Sequence, residues 1–355
     1  MKTAIIILGN QWVCPYVNTY KHILEKSGSP YDVILWDRDG SDFAAPVRYS
    51  SGNADLANPV VKTWHYLKYA HFIKKSVLVN GYDRLVVSGP HLAILLARFL
   101  RKRFKGRYIV DYRDISIEQK PLLKSVYSKV LADSYCNVIS SPGFREYLSK
   151  EYDFLISHNF AIDAAVDSLG TENPVWRLSS PLEVLTIGYI RNYSSNVKII
   201  QSLGSNGSYS LRFVGRGDAA GALQGYAVSN GHTNVEFSGF YKKNDEATLV
   251  DSCNFINIFF PDDVEHSPIM SNRFYLALIH KKPVIVTEGS VQAALVKEYG
   301  LGVVTKECIG LDEDIRQYLS TFDYAMFCRK CNELLALFVE DYRALERSVA
   351  EFVRL

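Results

Sequence analysis

The segment Asp83–Val110, DRLVVSGPHLAILLARFLRKRFKGRYIV, reads as strand, loop, helix and strand in one run. Asp83–Ser88 (DRLVVS) and Arg107–Val110 (RYIV) are almost continuously apolar, as strands buried on both faces are. His91–Phe104 between them has the spacing of a helix. Repetition of this unit along a chain predicts a parallel sheet with helices on both faces.

The same alternation extends outward in both directions. Upstream, Thr3–Gly9 (TAIIILG) and Tyr31–Trp36 (YDVILW) read as strands, with a helix over Pro15–Lys26. Downstream, Cys136–Ser140 and Phe154–Ser157 read as short strands. A polar, turn-rich stretch, Asp167–Ser180, follows and predicts a linker. The alternation then restarts with Glu183–Ile187 (EVLTI), Ser210–Val214 (SLRFV), Val235–Ser238, Asn254–Phe260 (NFINIFF) and Pro283–Thr287 (PVIVT). Asp323–Val353 closes the chain with apolar residues at helical spacing. The expected architecture is α/β: two doubly wound parallel-sheet domains over 1–165 and 181–335, a linker at 166–180, and a C-terminal helix over 336–355. Two such domains with their strand ends facing would make an interdomain cleft, where ligands favour the carboxyl ends of the strands.

Composition agrees with two globular domains. The 355 residues are 48% hydrophobic and 22% charged, which excludes a disordered or collagen-like chain. Ala4–Leu8 is the longest apolar run near the start, far below the roughly 18–20 residues of a membrane span. Lys2 before that run is reminiscent of a signal peptide, but the run is short and Asn10 and Gln11 follow it, so a first strand and a cytoplasmic protein are expected. Six cysteines are too few for a disulfide scaffold. Residues 1–165 carry 22 basic and 15 acidic side chains, and the remainder 18 and 23. The basic half favours an anionic partner such as a phosphate-bearing substrate or a membrane surface. Arg98–Arg107 and the Lys62–Lys75 stretch, where lysines interleave with Trp64, Tyr66, Tyr69 and Phe72, point to peripheral contact with an anionic membrane rather than to nucleic acid; a solvated basic face over buried aromatics is the plainer alternative.

The strand ends carry the candidate chemistry. Gly9-Asn10-Gln11 follows the first strand, and Gly9 allows a tight turn toward a ligand. Ser88-Gly89-Pro90-His91 places His91 at the start of a helix, as a donor to a sugar hydroxyl or phosphate or simply as a cap. Asp111-Tyr112-Arg113-Asp114 packs three charges at the end of a buried strand, either as an ion pair or as a carboxylate that orients substrate hydroxyls. In the second half, Gly188 ends a strand, Arg191 follows, and Lys198 lies seven residues on; two cations near a helix N-terminus suit a diphosphate. Gly215-Arg216-Gly217 with Gly221 is one residue too long for a dinucleotide fingerprint and shapes a turn. Asp262, Asp263, Glu265 and His266 cluster after a buried strand, ahead of Ser271, Asn272 and Arg273 at the next helix start. All four acidic-cluster residues lie on one short loop, so no metal site is expected. Cys328 and Cys331 form a lone CxxC inside a helix and read as ordinary helix cysteines.

The segments YDRLVVSGPH, YIVDYRDIS, VISSPGFREYL, FLISHN, LTIGYIRNYSSNVKII, RFVGRG, VEFSGFY and MSNRFYLALIHKKPVIV, in that order and spacing, resemble the retaining glycosyltransferases of family 4, with the GT-B fold. More narrowly the chain is similar to bacterial enzymes of capsule, exopolysaccharide or O-antigen synthesis. The resemblance implies a nucleotide-diphosphate-sugar donor, UDP- or GDP-linked, as substrate, with no separate cofactor. Donor contacts would come from Gly9, Gly188, Arg191, Lys198, Glu265, Ser271, Asn272 and Arg273. Asn10, Gln11, His91, Asp111 and Arg113 would line the acceptor side, with Arg191, Lys198 and Asp114 at the reaction centre. The acceptor would be a saccharide or lipid-linked oligosaccharide at the inner face of the plasma membrane. One departure stands out: counting back from Pro283, the glutamate that usually holds the donor ribose falls at Leu276. The alternatives are a nucleotide-sugar epimerase of the same fold and a non-catalytic partner subunit.

Overall fold

A computed structural model describes residues 1–11, 13–38, 40, 45–52, 54–171 and 176–355. The chain divides into two units, Met1–Asn159 with Glu340–Leu355, and Phe160–Val339.

The first unit holds a seven-stranded sheet in the order β3-β2-β1-β4-β5-β6-β7. Its strands are β1 (Thr3–Ile6), β2 (Tyr31–Asp37), β3 (Val47–Ser50), β4 (Arg84–Ser88), β5 (Tyr108–Tyr112), β6 (Cys136–Ile139) and β7 (Leu155–Ile156). Every pairing is parallel; Ile5, for example, lies opposite Val33 on one side and Val86 on the other. β1, β4 and β5 are buried along their whole length, which is why they read as unbroken apolar runs. The order reverses between β1 and β4, so the loops after these strands flank the switch point where α/β sheets bind ligands.

The second unit repeats the plan with six parallel strands in the order β10-β9-β8-β11-β12-β13. They are β8 (Leu182–Ile187), β9 (Tyr209–Val214), β10 (Val235–Gly239), β11 (Phe255–Ile258), β12 (Val284–Thr287) and β13 (Gly302–Thr305). Its switch point lies between β8 and β11.

The structure departs from the sequence reading at several places. β3 and β13 were not anticipated: each is four residues long, and β3 is a half-exposed edge strand without an apolar run. The expected His91–Phe104 helix is two, Pro90–Leu95 and Ala97–Arg103, separated at Leu96. β5 runs on through Asp111 and Tyr112, which places Asp111 inside the sheet rather than in the loop beyond it. Part of the expected linker is helical, because Ile162–Gly170 forms a helix that packs within the second unit. There Ser168 donates to the Ile279 carbonyl at 2.7 Å and accepts from Lys281 at 2.7 Å. Residues 172–175 of that stretch lie outside the described residues. The last helix, Tyr324–Phe352, follows the Asp323–Val353 spacing and so starts about three turns before residue 336. Phe327, Leu334, Leu335 and Phe338 join the core of the second unit, whereas Glu340 onward belongs to the first. Cys328 and Cys331 are buried free thiols within it.

Candidate functional site

In the second unit the loop after β8 is held by a buried amide network. Asn257 of β11 is fully buried and donates to Thr186 Oγ1 at 2.9 Å and to Asn196 Oδ1 at 3.2 Å. Asn196 in turn donates to the carbonyls of Arg191 and Asn192 at 2.8 and 3.1 Å. The loop also lies against the one after β9: Gly188 N donates to Val214 O and Ile190 N to Arg216 O, both at 2.9 Å. This contact explains the Gly-Arg-Gly run. Gly215 has φ 140°, and a Cβ there would overlap the Gly188 carbonyl; a Cβ at Gly217 would overlap that of Ile190. The glycines thus serve the close approach of two loops, where the sequence reading expected them to shape a turn.

Arg273 is the unusual residue here. Expected to meet a phosphate from the helix start, it is instead buried, and its guanidinium donates to three carbonyls at the switch point. These are Ile187 O at 2.5 Å, Tyr189 O at 3.1 Å and Asn257 O at 3.2 Å. No carboxylate bonds it among the described residues. Burial and the nearby charge of Arg191 pull its pKa down to about 10. Arg191 itself is exposed, over the Tyr189 ring at 5.2 Å. Two cations therefore crowd the C-terminal edge of β8 and β11, and an anion at Arg191 would relieve their repulsion. Exposed aromatics border the same edge: Tyr189 after β8, and Phe240 after β10 under the Arg216 guanidinium at 5.0 Å. Sequence reading missed these aromatics, since exposed rings on loops carry no periodic signal.

The other expected donor residues are distributed as follows. Gly188 ends β8 with φ 95°. Ser271 caps the Asn272–Ile279 helix by accepting from Arg273 N at 3.3 Å, and Asn272 is exposed at its first position. Lys198 lies in the second turn of the Tyr193–Leu203 helix and pairs with Glu307, so its contacts are not with Arg191. Glu265 is exposed; its neighbour Asp263 accepts from Glu265 N at 3.0 Å and from His266 Nδ1 at 2.7 Å. His266 Nε2 lies 3.3 Å from Asn192 Nδ2, which joins the acidic loop to the end of the Arg191 loop. Leu276 is half-buried and packs on the apolar core, so an apolar neighbourhood occupies the position expected for a ribose-binding carboxylate.

In the first unit the expected acceptor residues fall into two groups. Asp111 and Arg113 form a buried pair at 2.7 Å. Arg113 also donates to Ser157 O at 3.1 Å and Ser157 Oγ at 2.8 Å, and stacks over Tyr16 at 4.5 Å. Burial pushes the Asp111 carboxyl up, and Arg113 pulls it back. Asp111 has no exposed surface, so it bears on a ligand only through what it holds in place. Asp114, one residue beyond the pair, is exposed.

Asn10 is buried and ties the first loop to the end of β2, donating to Asp37 Oδ1 at 3.2 Å and accepting from Arg38 N at 3.2 Å. Gln11 accepts from Lys21. Gly9 is buried with an ordinary backbone, and a Cβ there would meet Cys14 Sγ at 3.6 Å. Alanine therefore fits. Gly9→Ala is expected to leave the thermal midpoint unchanged or slightly raised, because alanine also lowers the entropy of the unfolded chain. A melting curve checks this.

His91 is half-buried, with Ser116 Oγ at 2.9 Å from Nδ1, and stacks on Tyr66 at 5.5 Å. Ser116 N donates to Glu118 Oε1 at 2.9 Å. Burial holds the imidazole below its ordinary pKa despite Glu118, and Lys62 and Arg38 add to the effect. A neutral imidazole at this edge exchanges hydrogen bonds with hydroxyls rather than pairing with anions. Glu118, buried in a 3₁₀ turn, escaped the sequence reading because its role depends on Tyr112 and Ser116 folding onto it.

No family model and no curated protein matches this chain. Solved structures do. A sucrose-phosphate synthase (tll1590) from Thermosynechococcus elongatus superposes with a TM-score of 0.66 at 15% identity, covering 99% of this chain and 96% of that one. Anabaena Alr3699/HepE in complex with UDP and glucose gives 0.66 at 14% identity, covering 99% and 100%. The lipopolysaccharide outer core galactosyltransferase WaaB, in its apo form, gives 0.60 at 12% identity, with both chains covered completely. At such identities the likeness shows the fold, and that fold is GT-B.

Proposed function

We propose that this chain is a glycosyltransferase that moves a sugar from a nucleotide-diphosphate donor to a saccharide acceptor. The observation that carries the reading is the Arg191–Arg273 pair at the β8–β11 switch point, two cations without a bonded carboxylate among the described residues. Arg191 offers a free charge to a diphosphate, and the positive end of the helix that Ser271 caps, with Asn272 exposed at its first position, favours an anion. Lys198 would join them on leaving Glu307. Gly188 would let donor phosphates approach the backbone, and Glu265 would take donor hydroxyls. The Anabaena structure was solved with UDP and glucose, which makes a UDP-hexose the first donor to try.

The proposed chemistry proceeds with retention. The anomeric bond loosens toward an oxocarbenium-like state while Arg191, Lys198 and the positive end of the Asn272–Ile279 helix stabilise the departing diphosphate. The acceptor hydroxyl attacks from the same face, and the leaving phosphate takes up its proton. In the first unit, His91, Asn10, Gln11 and Asp114 would meet the acceptor, with Asp111 and Arg113 holding the loop behind them. This route calls on no metal. The acceptor we favour is a lipid-linked oligosaccharide at the cytoplasmic face, as in bacterial capsule or O-antigen assembly.

Thermal melting against UDP, GDP, ADP and their sugars tests the donor assignment. One nucleotide diphosphate at ~100 times its Kd should add about 2.7 kcal/mol of stability, seen as several degrees in Tm. Equal, negligible shifts with all of them would remove the reading. Hydrolysis or interconversion of the sugar without any acceptor would move it to an epimerase.

A further inference from the structure

The helix Pro59–Val79, which follows β3, is apolar on two opposite sides. Its inner side buries Tyr69, Ala70, Ile73 and Val77, and the Tyr69 hydroxyl donates to Ile7 O of the first loop at 2.6 Å. A surface helix should then show a polar outer side. This one shows Val60, Trp64 and Leu67, at 77%, 57% and 51% exposure, spaced as one stripe over its first three turns. Pro59 and Thr63 complete with them a shallow groove of about 400 Å³.

Charge says what covers the stripe. The helix carries Lys62, Lys68, Lys74 and Lys75 and no carboxylate. Lys68 Nζ lies over the Trp64 ring at 5.2 Å. Residues 56–110 as a whole hold eleven basic side chains and one acidic, a net +10. The adjoining helices of this layer continue the pattern, with Arg98, Arg101 and Lys102 lining a second groove of about 410 Å³. A protein partner or a second copy would meet this density of charge only with a matching acidic face. An anionic bilayer supplies the charge and also an apolar layer for Trp64 and Leu67, with lysines reaching to the headgroups.

We infer that the Val60–Trp64–Leu67 stripe is an interfacial membrane anchor that seats the first unit on an anionic leaflet. The helix follows β3 and so begins at the carboxyl edge of the sheet, where His91 lies. Seated this way, that edge faces headgroups. The inference deepens the lipid-linked acceptor reading and can fail separately from it.

The test is co-sedimentation of the full chain with phosphatidylglycerol–phosphatidylethanolamine vesicles and with phosphatidylcholine vesicles, at low and high salt. Binding is expected on the anionic vesicles only and should weaken with salt. Lys68→Gln should weaken it about five-fold, the worth of one basic residue near such a surface. The exposed double variant Trp64→Ser with Leu67→Ser should weaken it at least ten-fold. The same variant should keep its nucleotide-induced Tm shift and its transfer to a water-soluble acceptor, while transfer to a vesicle-borne acceptor falls. Equal binding to neutral vesicles, or full binding by the double variant, would overturn the anchor. So would dissociation of a wild-type dimer by the double variant in light scattering, which would assign the stripe to a second copy. Loss of the nucleotide shift in the wild type, with vesicle binding intact, would instead overturn the transferase reading alone.

Discussion

Arg191→Ala is expected to lower sugar transfer by about 10²–10³ in kcat while the fold stays intact. The size follows from where Arg191 sits. It is the exposed cation at the β8–β11 switch point, whereas Arg273 is committed to three carbonyls. In the proposed reaction charge builds on the departing diphosphate, so a preorganised cation beside it acts most strongly in the transition state. The loss should therefore appear in kcat more than in KM. Stability should not suffer, because removing Arg191 takes away a like charge that pulls the Arg273 pKa down. Arg191→Lys keeps the charge but not the fork and should recover part of the rate. A purified Arg191→Ala protein with full transfer activity would end the assignment.

The second large effect concerns stability. Asp111→Ala should destabilise the protein by about 3–5 kcal/mol, because it leaves the Arg113 guanidinium buried without its counter-charge. Arg113→Met should cost less, because a buried carboxyl can escape its charge by taking a proton. That escape has a pH signature. Burial already pushes the Asp111 carboxyl up, and in Arg113→Met the opposing pull is gone. A folded-state pKa above the unfolded value favours the fold at low pH and loses that advantage as pH rises through it. The Tm of Arg113→Met should thus fall, as pH rises above the ordinary carboxylate range, more steeply than that of the wild type. The double variant, Asp111→Ala with Arg113→Met, should lose less than the two single variants summed, and the cycle isolates the pair. Additive losses would show that the two residues do not act as a unit.

Charged residues at the strand ends were legible in the sequence, but their surroundings were not. Arg191 was legible as a strand-end cation, since a charged residue just past a buried strand and a glycine has few structural explanations. Asp111 and Arg113 were equally visible, but not which of two roles they take. That depends on β5 running two residues past RYIV, on Ser157 arriving from after β7, and on Tyr16 stacking over the guanidinium. Arg273 was placed at the right helix start with the wrong surroundings: its partners Ile187, Tyr189 and Asn257 are 16 to 86 residues away in sequence. Lys198 was read with Arg191 by proximity, yet its partner Glu307 lies 109 residues on.

The one-dimensional pattern by itself determined the class of the fold. Apolar runs of strand length separated by helical spacing can bury themselves only as a parallel sheet between helix layers, and that rule is local. It marked the glycines as well, though the contact of two loop backbones that Gly215 and Gly217 allow is tertiary. Tertiary structure decided which charges are paired, which are buried and which face solvent. It put Asp111 wholly inside and left Arg191 and Trp64 outside. The reason is physical: secondary structure follows from steric and hydrophobic periodicity over a few residues, whereas the state of a charge depends on every group within several ångströms, and the chain brings those groups from far along its length.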